Sequence, residues 1–356
     1  MVYCSKLMKV TALGVNSAFA IGKYEEVIQT DKLEALLEDA VKKARNDHKS
    51  ITLGEIKKIL KENKTHAYFP KYQSNFLLEF KTKGKIKSDT YKLVLDFGSD
   101  IRHSLASIGL KMSDIDGFYC SHPHADHIGG IEGIALSTVF NPFWNQKKTE
   151  WLSKYRHRRT EDADKPLELD LVTDRLYKKE KIPANCKPDI WGHREVLDSL
   201  WDASRPGLDT LQGVKNVSLE TFFNPIVMSK SMEYQIVEEE VNWIFYTVES
   251  THVVGGTSYM PSFGLMFESE NKKIYFPTDT LYIMPPIMKP FYESADVIYH
   301  DCETGPRSGV HSHIEDIRKI DPVIKKKCYL YHYTDEPKVD ENEFLGVMKA
   351  GETHEY

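Results

Sequence analysis

The sequence predicts an α/β fold, a four-layer αββα sandwich with helical insertions, and three observations predict it. Short runs of alternating apolar and polar residues gather in the first and last thirds of the chain, as half-buried strands require. Between them lie stretches whose apolar residues recur three and four apart, the spacing of one helix face. In the first third, a strand, the turn Asp96-Phe97-Gly98, a helix, a second strand and a ligand-rich loop follow one another, the order of one half of such a sandwich.

Met8 to Val15 alternates as an opening strand. Strand-like runs over Tyr72–Phe80 and Lys92–Phe97 follow, separated from it by an insertion at about 24–67 that reads as helical. There Leu33, Leu36, Leu37, Ala40, Val41 and Ala44 make one apolar stripe with Asp31 as N-cap, and Leu53, Ile56, Ile59 and Leu60 make a second. A helix is expected from Ile101 to Gly109, and Met112 to Tyr119 leads into the histidine-rich run. A second insertion, helical and irregular, is expected at about 141–233. It contains the basic segment Lys147–Arg159, read as a solvated helix face in preference to a phosphate-contacting arm because Glu161, Asp162 and Asp164 follow at once. Within it Lys187–Gly192 reads as a short strand, and Val196–Trp201 as a helix closed by Arg205-Pro206-Gly207. Strand-like runs return at Val241–Val248, Phe263–Phe267, Lys273–Phe276, Val297–Tyr299 and Cys328–Tyr331, with a helix over Ser312–Ile320.

The 356 residues can bury a large core as one domain, and 41% hydrophobic with 28% charged residues is ordinary for a globular protein. No run approaches the roughly 18 apolar residues of a membrane span, and the first residues lack an apolar leader, so a cytoplasmic location is expected. Five scattered cysteines, none at C-x-x-C spacing, point to reduced thiols and away from cysteine-ligated zinc. A net charge of −6 disfavours broad nucleic-acid affinity, while bound divalent ions would reverse the sign locally for a small anionic substrate.

The most specific feature is Ser121-His122-Pro123-His124-Ala125-Asp126-His127-Ile128-Gly129-Gly130. Residues two apart on an extended segment share a side, so His122 and His124 can grip one ion. Asp126 and His127 follow where the chain turns into a helix and diverge toward a second ion, and the two glycines let backbone pass close to the cluster. Nitrogen and carboxylate donors suit zinc first, with Mn2+ or Fe2+ as alternatives.

The strand, the H-x-H-x-D-H run and the double glycine resemble the metallo-β-lactamase fold superfamily, and within it the ribonuclease Z and cyclic-nucleotide phosphodiesterase branch. The resemblance runs from about Met8 to about Glu336. It implies that His252, before Tyr259-Met260-Pro261-Ser262-Phe263-Gly264, is the third histidine of the first ion, and that His332, in Leu330-Tyr331-His332-Tyr333, joins Asp126 and His127 on the second. Asp279 would bridge the two; Thr278 stands before it where the branch has glycine, a departure expected to alter packing more than ligation. The resemblance further implies a proton-donating couple in which Asp301 orients a histidine, with His311 favoured over His313; the competing expectation is that both merely cap the following helix.

The activity so implied is hydrolysis of a small phosphodiester, such as a cyclic nucleotide, by water activated between two divalent metal ions. Alternatives are a ribonuclease Z-like endoribonuclease acting on tRNA, a thioesterase or lactonase of the same fold, and a non-enzymatic nucleotide-binding scaffold. A ribonuclease Z would need a glycine- and lysine-rich exosite, which neither insertion resembles. Dimers are common in the family, and the helices at 31–63 are candidates for a homodimer contact.

Overall fold

The computed structural model describes residues 8–18, 20, 22–28, 37–43, 46, 58–59, 64–81, 90–141, 144–150, 186–211, 214, 216–230, 232–235, 243–255, 258–269, 271–281 and 288–356. The chain forms two compact units, one of residues 1–20 with 72–356 and one of residues 21–71.

Strand β1 (Met8–Gly14) opens the large unit. The small unit pairs β2 (Lys23–Ile28) with β3 (Lys64–Phe69) as an antiparallel ribbon, in register from Lys23 opposite Phe69 to Ile28 opposite Lys64. Residues 37–43 between them are helical, so Leu37, Ala40 and Val41 of the expected stripe lie on a helix. Leu33, Leu36, Ala44, Leu53, Ile56 and Leu60 lie outside the described residues. The insertion expected to be wholly helical therefore begins and ends in strands. Neither strand alternates in sequence, so the period-two signal that marks a strand is missing from both.

The large unit continues with β4 (Asn75–Lys81), β5 (Thr90–Leu95), β6 (Gly117–Tyr119), β7 (Asp189–His193), β8 (Asn224–Met228) and β9 (Tyr234–Gln235). After these come β10 (Ile244–Glu249), β11 (Val254–Gly255), β12 (Ser258–Tyr259), β13 (Phe263–Glu268), β14 (Lys273–Thr278), β15 (Val297–Asp301), β16 (Cys328–Tyr331), β17 (Gly346–Val347) and β18 (Thr353–Glu355). One seven-stranded sheet has the order β18-β1-β4-β5-β6-β7-β8 and the other β17-β16-β15-β14-β13-β10-β9. Alternation sorts the side chains. Phe76, Leu78, Leu93 and Trp191 of the first sheet meet Phe245, Phe267, Phe276 and Tyr299 of the second in a core between the sheets. Leu77, Val94, Phe118 and Ile190 point the other way, onto helices Ile101–Ser107, Ile131–Phe140 and Arg194–Leu208. On the far side Met266, Tyr275, Ile298 and Leu330 pack with Tyr292, Ile317 and Ile324 of short helices. These are the four layers of an αββα sandwich.

Much of the expected second insertion belongs to this frame. The strand expected at Lys187–Gly192 is β7, an internal strand, and β8 is the edge of the first sheet. The helix expected over Val196–Trp201 spans Arg194–Leu208 and passes through Pro206, which stands in the last turn where a missing N–H costs a single ladder bond. In the basic segment, Lys148 is buried instead of solvated. Its ammonium donates to the carbonyls of Thr138, Val139 and Asn141 at the end of helix Ile131–Phe140. Residues 151–159 lie outside the described residues. The expected helix Ser312–Ile320 shortens to Ile314–Ile317. No helix among the described residues is long and apolar enough to cross a membrane.

Candidate metal centre

Strands β5 to β8 run parallel, as do β14 to β17, so the carboxyl ends of each set share one edge of its sheet. The candidate residues sit where these strands stop. Asp96 follows β5, the run from His122 follows β6, Asp279 follows β14, Asp301 ends β15 and His332 follows β16; His252 follows β10. Three backbone positions here are left-handed, Asp96 (φ 58°), Thr278 (φ 58°) and His332 (φ 64°), so the chain turns sharply as each strand ends. The left-handed turn at Thr278 explains why glycine would be the natural occupant; the β-branched side chain carries strain there. Gly98 and Gly130 let the ligand helix Ala125–Ile128 seat tightly: a Cβ on Gly98 would lie 2.2 Å from the Asp126 carbonyl oxygen, and one on Gly130 2.6 Å from Ile101.

Two donor sets converge. His122, His124, His252 and Asp279 form one, and Asp126, His127, His332 and Asp279 the other, with the donor atoms of each set within 4.8 Å of one another. Nε2 of His122 and Nε2 of His252 each lie 3.0 Å from Nδ1 of His124. Asp279 Oδ2 is central: 3.0 Å from His127 Nε2, 3.5 Å from His332 Nε2, 3.7 Å from His122 Nε2 and 3.9 Å from His252 Nε2.

The outer hydrogen bonds assign the tautomers. His127 Nδ1 lies 2.8 Å from Asp96 Oδ2 and His252 Nδ1 2.8 Å from the Val310 carbonyl, both pure acceptors, so each Nδ1 carries the proton. Ser121 Oγ donates to Asp96 and Ser74 Oγ donates to the Asn16 carbonyl. Each hydroxyl is therefore left to accept, from His122 Nδ1 and His332 Nδ1 respectively, at 2.9 Å. Four Nε2 lone pairs thus face inward. His127 Nε2 and both oxygens of Asp279 are buried without a hydrogen-bond partner. A lone pair and a carboxylate oxygen 3.0 Å apart in a buried pocket demand positive charge between them. The donor chemistry and geometry fit divalent ions held by nitrogen and oxygen, with the far nitrogens braced by outer partners.

Electrostatics agree. Burial pulls His122, His124, His252 and His332 below the ordinary imidazole value, keeping them neutral donors. Burial also opposes charge on His127, but Asp279, Asp126 and Asp96 outweigh it and raise its affinity for a proton or a cation. Burial alone would raise Asp279 and Asp126; His127 beside them holds both below the usual carboxylate range.

His311 lies on the rim, its Nδ1 3.2 Å from Asp301 Oδ2 and 3.8 Å from Asp279 Oδ2. Burial opposes its charge, but Asp279 and the hydrogen-bonded Asp301 push it up to about 9. His313 goes elsewhere. Its Nδ1 accepts the Glu315 N–H as cap of helix Ile314–Ile317, and its Nε2 donates to the Gly305 carbonyl. Of the two candidates, only His311 joins Asp301 and Asp279 in a cluster, and the cap expectation holds for His313 alone. Ser74 and the Val310 carbonyl, which brace His332 and His252, have no signal in the sequence because they lie 258 and 58 residues from their partners.

The family model described as Anti-Pycsar protein Apyc1 matches residues 64–157 and 169–354. An Anti-Pycsar protein Apyc1 of Bacillus phage vB_BveM-Goe7 is 23% identical over 293 residues, covering 79% of this chain and 88% of the relative. Among solved structures, a diphosphatase from the PhnP family is 13% identical with a TM-score of 0.54, covering 98% of this chain and 97% of that one. The metallo-β-lactamase fold protein YhfI from Bacillus subtilis is 15% identical with a TM-score of 0.51, covering 98% of this chain and all (100%) of its own. At these identities the two structures speak to the fold, which is the metallo-β-lactamase sandwich.

Proposed function

This chain belongs to the Anti-Pycsar protein Apyc1 family, and from that premise we propose a metal-dependent phosphodiesterase that hydrolyses a small nucleotide diester, a cyclic nucleotide. The chain is a metallo-hydrolase of the metallo-β-lactamase fold. The observation that carries the reading is the pair of donor sets sharing Asp279. In the proposed centre His122, His124 and His252 would hold one ion, Asp126, His127 and His332 would hold the other, and Asp279 would serve both. Zinc is the ion proposed first, with Mn2+ or Fe2+ next. Divalent ions at such a pair supply an acidified water, with pKa lowered toward ~7, and charge compensation for phosphoryl oxygens.

The protein's own part is orientation and proton delivery. Asp301 Oδ2 accepts from His311 Nδ1–H, and because the ring is pushed up to about 9 the imidazolium carries its second, transferable proton at Nε2. A proton at His311 Nε2 can neutralise a non-bridging phosphate oxygen or pass to the departing oxygen. Asp96 takes bonds from the Ser121 N–H, the Ser121 hydroxyl and His127, which holds the ligand loop in place before substrate arrives.

The test is a panel of 3′,5′-cyclic nucleotides, a precursor tRNA with a 3′ trailer, a thioester and a lactone, with Asp126→Ala and Asp279→Ala beside the wild type. Turnover of the cyclic nucleotides, lost in both variants together with bound metal, is the expected result. Full activity in either variant, or turnover confined to the tRNA, thioester or lactone, would refute the reading. The homodimer expected from the family is a separate proposal, read directly by sedimentation equilibrium.

A further inference from the structure

One strand beyond the metal ligands, the first sheet carries a group that the hydrolytic centre does not use. Strand β7 runs beside β6 with Tyr119 opposite Trp191, so His193 stands level with Ser121, the residue before His122. Trp191 points into the core between the sheets, and alternation puts His193, two residues on, on that same face. There its ring stacks on Phe263, with centroids 3.9 Å apart and planes at 22°. Phe263 is buried and tied to the ligand loop, its N–H donating to the Ser121 carbonyl at 3.0 Å. The platform is thus held against the loop that presents His122.

His193 precedes helix Arg194–Leu208, and its bland role would be to cap that helix. Its side chain makes no capping bond. Nδ1 is buried without a partner, and Nε2 makes no hydrogen bond among the described residues. A polar wall stands beside the ring. Lys230, just past β8, pairs with Glu249 Oε2 at 2.5 Å, with its ammonium 5.7 Å from the Phe263 centroid. Tyr259 donates to the other Glu249 oxygen at 2.7 Å, although the tyrosine is 56% exposed. A half-buried aromatic ring backed by a second ring, flanked by fixed donors and an acceptor, is the chemistry that receives a flat heterocycle.

We propose that His193, backed by Phe263, is the stacking platform for the base of the bound nucleotide, and that the Lys230–Glu249–Tyr259 group reads the base's polar edge. The proposal rests on the phosphodiesterase reading above and gives that centre its selectivity for nucleotides over plain diesters. Stacking serves any base, so selectivity between bases falls to the polar wall.

The experiment compares cyclic UMP, cyclic AMP and a base-free ribose 3,5-cyclic phosphate on the metal-loaded full chain. His193→Ala is expected to raise KM for both nucleotides about tenfold, the loss typical of a stacking partner, with kcat falling far less. The loss on the base-free diester should be several-fold smaller. His193→Phe restores the platform and should bring KM back to within about threefold of wild type, which a merely structural role would not give. Lys230→Met should change the cyclic UMP to cyclic AMP preference. Unchanged nucleotide KM in His193→Ala, or an equal loss on the base-free diester, overturns the proposal while leaving the phosphodiesterase reading intact. A wild type that turns over neither nucleotide defeats the parent reading and this one with it.

Discussion

Four of the five histidines of the centre are specified twice, once by the nitrogen that faces inward and once by the group that holds the other nitrogen. The inward set is legible in sequence, because H-x-H-x-D-H compresses four donors into six residues and His252, Asp279 and His332 each follow a strand. Of the outer set Asp96 is legible too, in the turn that precedes the ligand loop, whereas Ser74 and the Val310 carbonyl are not, since they reach their histidines only through the fold. Asp96 is the most heavily used of these partners. Asp96→Asn is expected to weaken metal binding about 10- to 100-fold, read by competition with a chromogenic chelator; unchanged affinity would mean His127 needs no such brace. The two candidate proton donors part company in the same way. His311→Ala should cost about 10²- to 10⁴-fold in kcat if it delivers the proton. His313→Ala should remove only a helix cap, about 1 kcal/mol of stability by chemical denaturation, with turnover retained. Sequence alone could favour His311 but not decide, because both precede the same helix.

At the level of elements, strands with buried faces were easy to read and edge or ribbon strands were not. β4, β5, β13 and β14 alternate because one face meets the other sheet. β8 contains Pro225 and lies at the sheet edge, where a missing N–H is cheap. The charged, irregular surroundings make 141–233 read as an insertion, although its β7 and β8 complete the first sheet. Lys148 shows a charge pattern misread for a physical reason. Three carbonyls at the end of helix Ile131–Phe140 draw its ammonium inward, and spacing along the chain carries no trace of that. Lys148→Met leaves those carbonyls without their donor and should destabilise the fold by about 1–3 kcal/mol in urea titration. A change below about 0.5 kcal/mol, the range of ordinary surface substitutions, would show that the cap is dispensable.

Across the whole molecule, the first sheet supplies His122, His124, Asp126 and His127, and the second supplies His252, Asp279 and His332. The ions of the proposed centre would join the two halves, so their removal should be felt far from the chemistry. Stripping the metal with a chelator is expected to lower the melting temperature, and re-addition should restore it; an unchanged melting curve would separate metal from stability. The thiols give a second global readout. Cys120, Cys186, Cys302 and Cys328 are all buried, and burial pushes Cys328 up to about 12. They should resist alkylation at pH 8 in the native protein and react promptly in denaturant. Rapid native labelling would mean the core opens on its own.

Asp279 belongs to both donor sets, and a single carboxylate cannot answer two cations independently. Whichever ion arrives first uses up negative charge on which its neighbour also depends, and it then repels that neighbour at short range. Loading should therefore proceed in two unequal steps, with a tight first equilibrium and a looser second, so that a protein given one equivalent holds mostly half-filled centres.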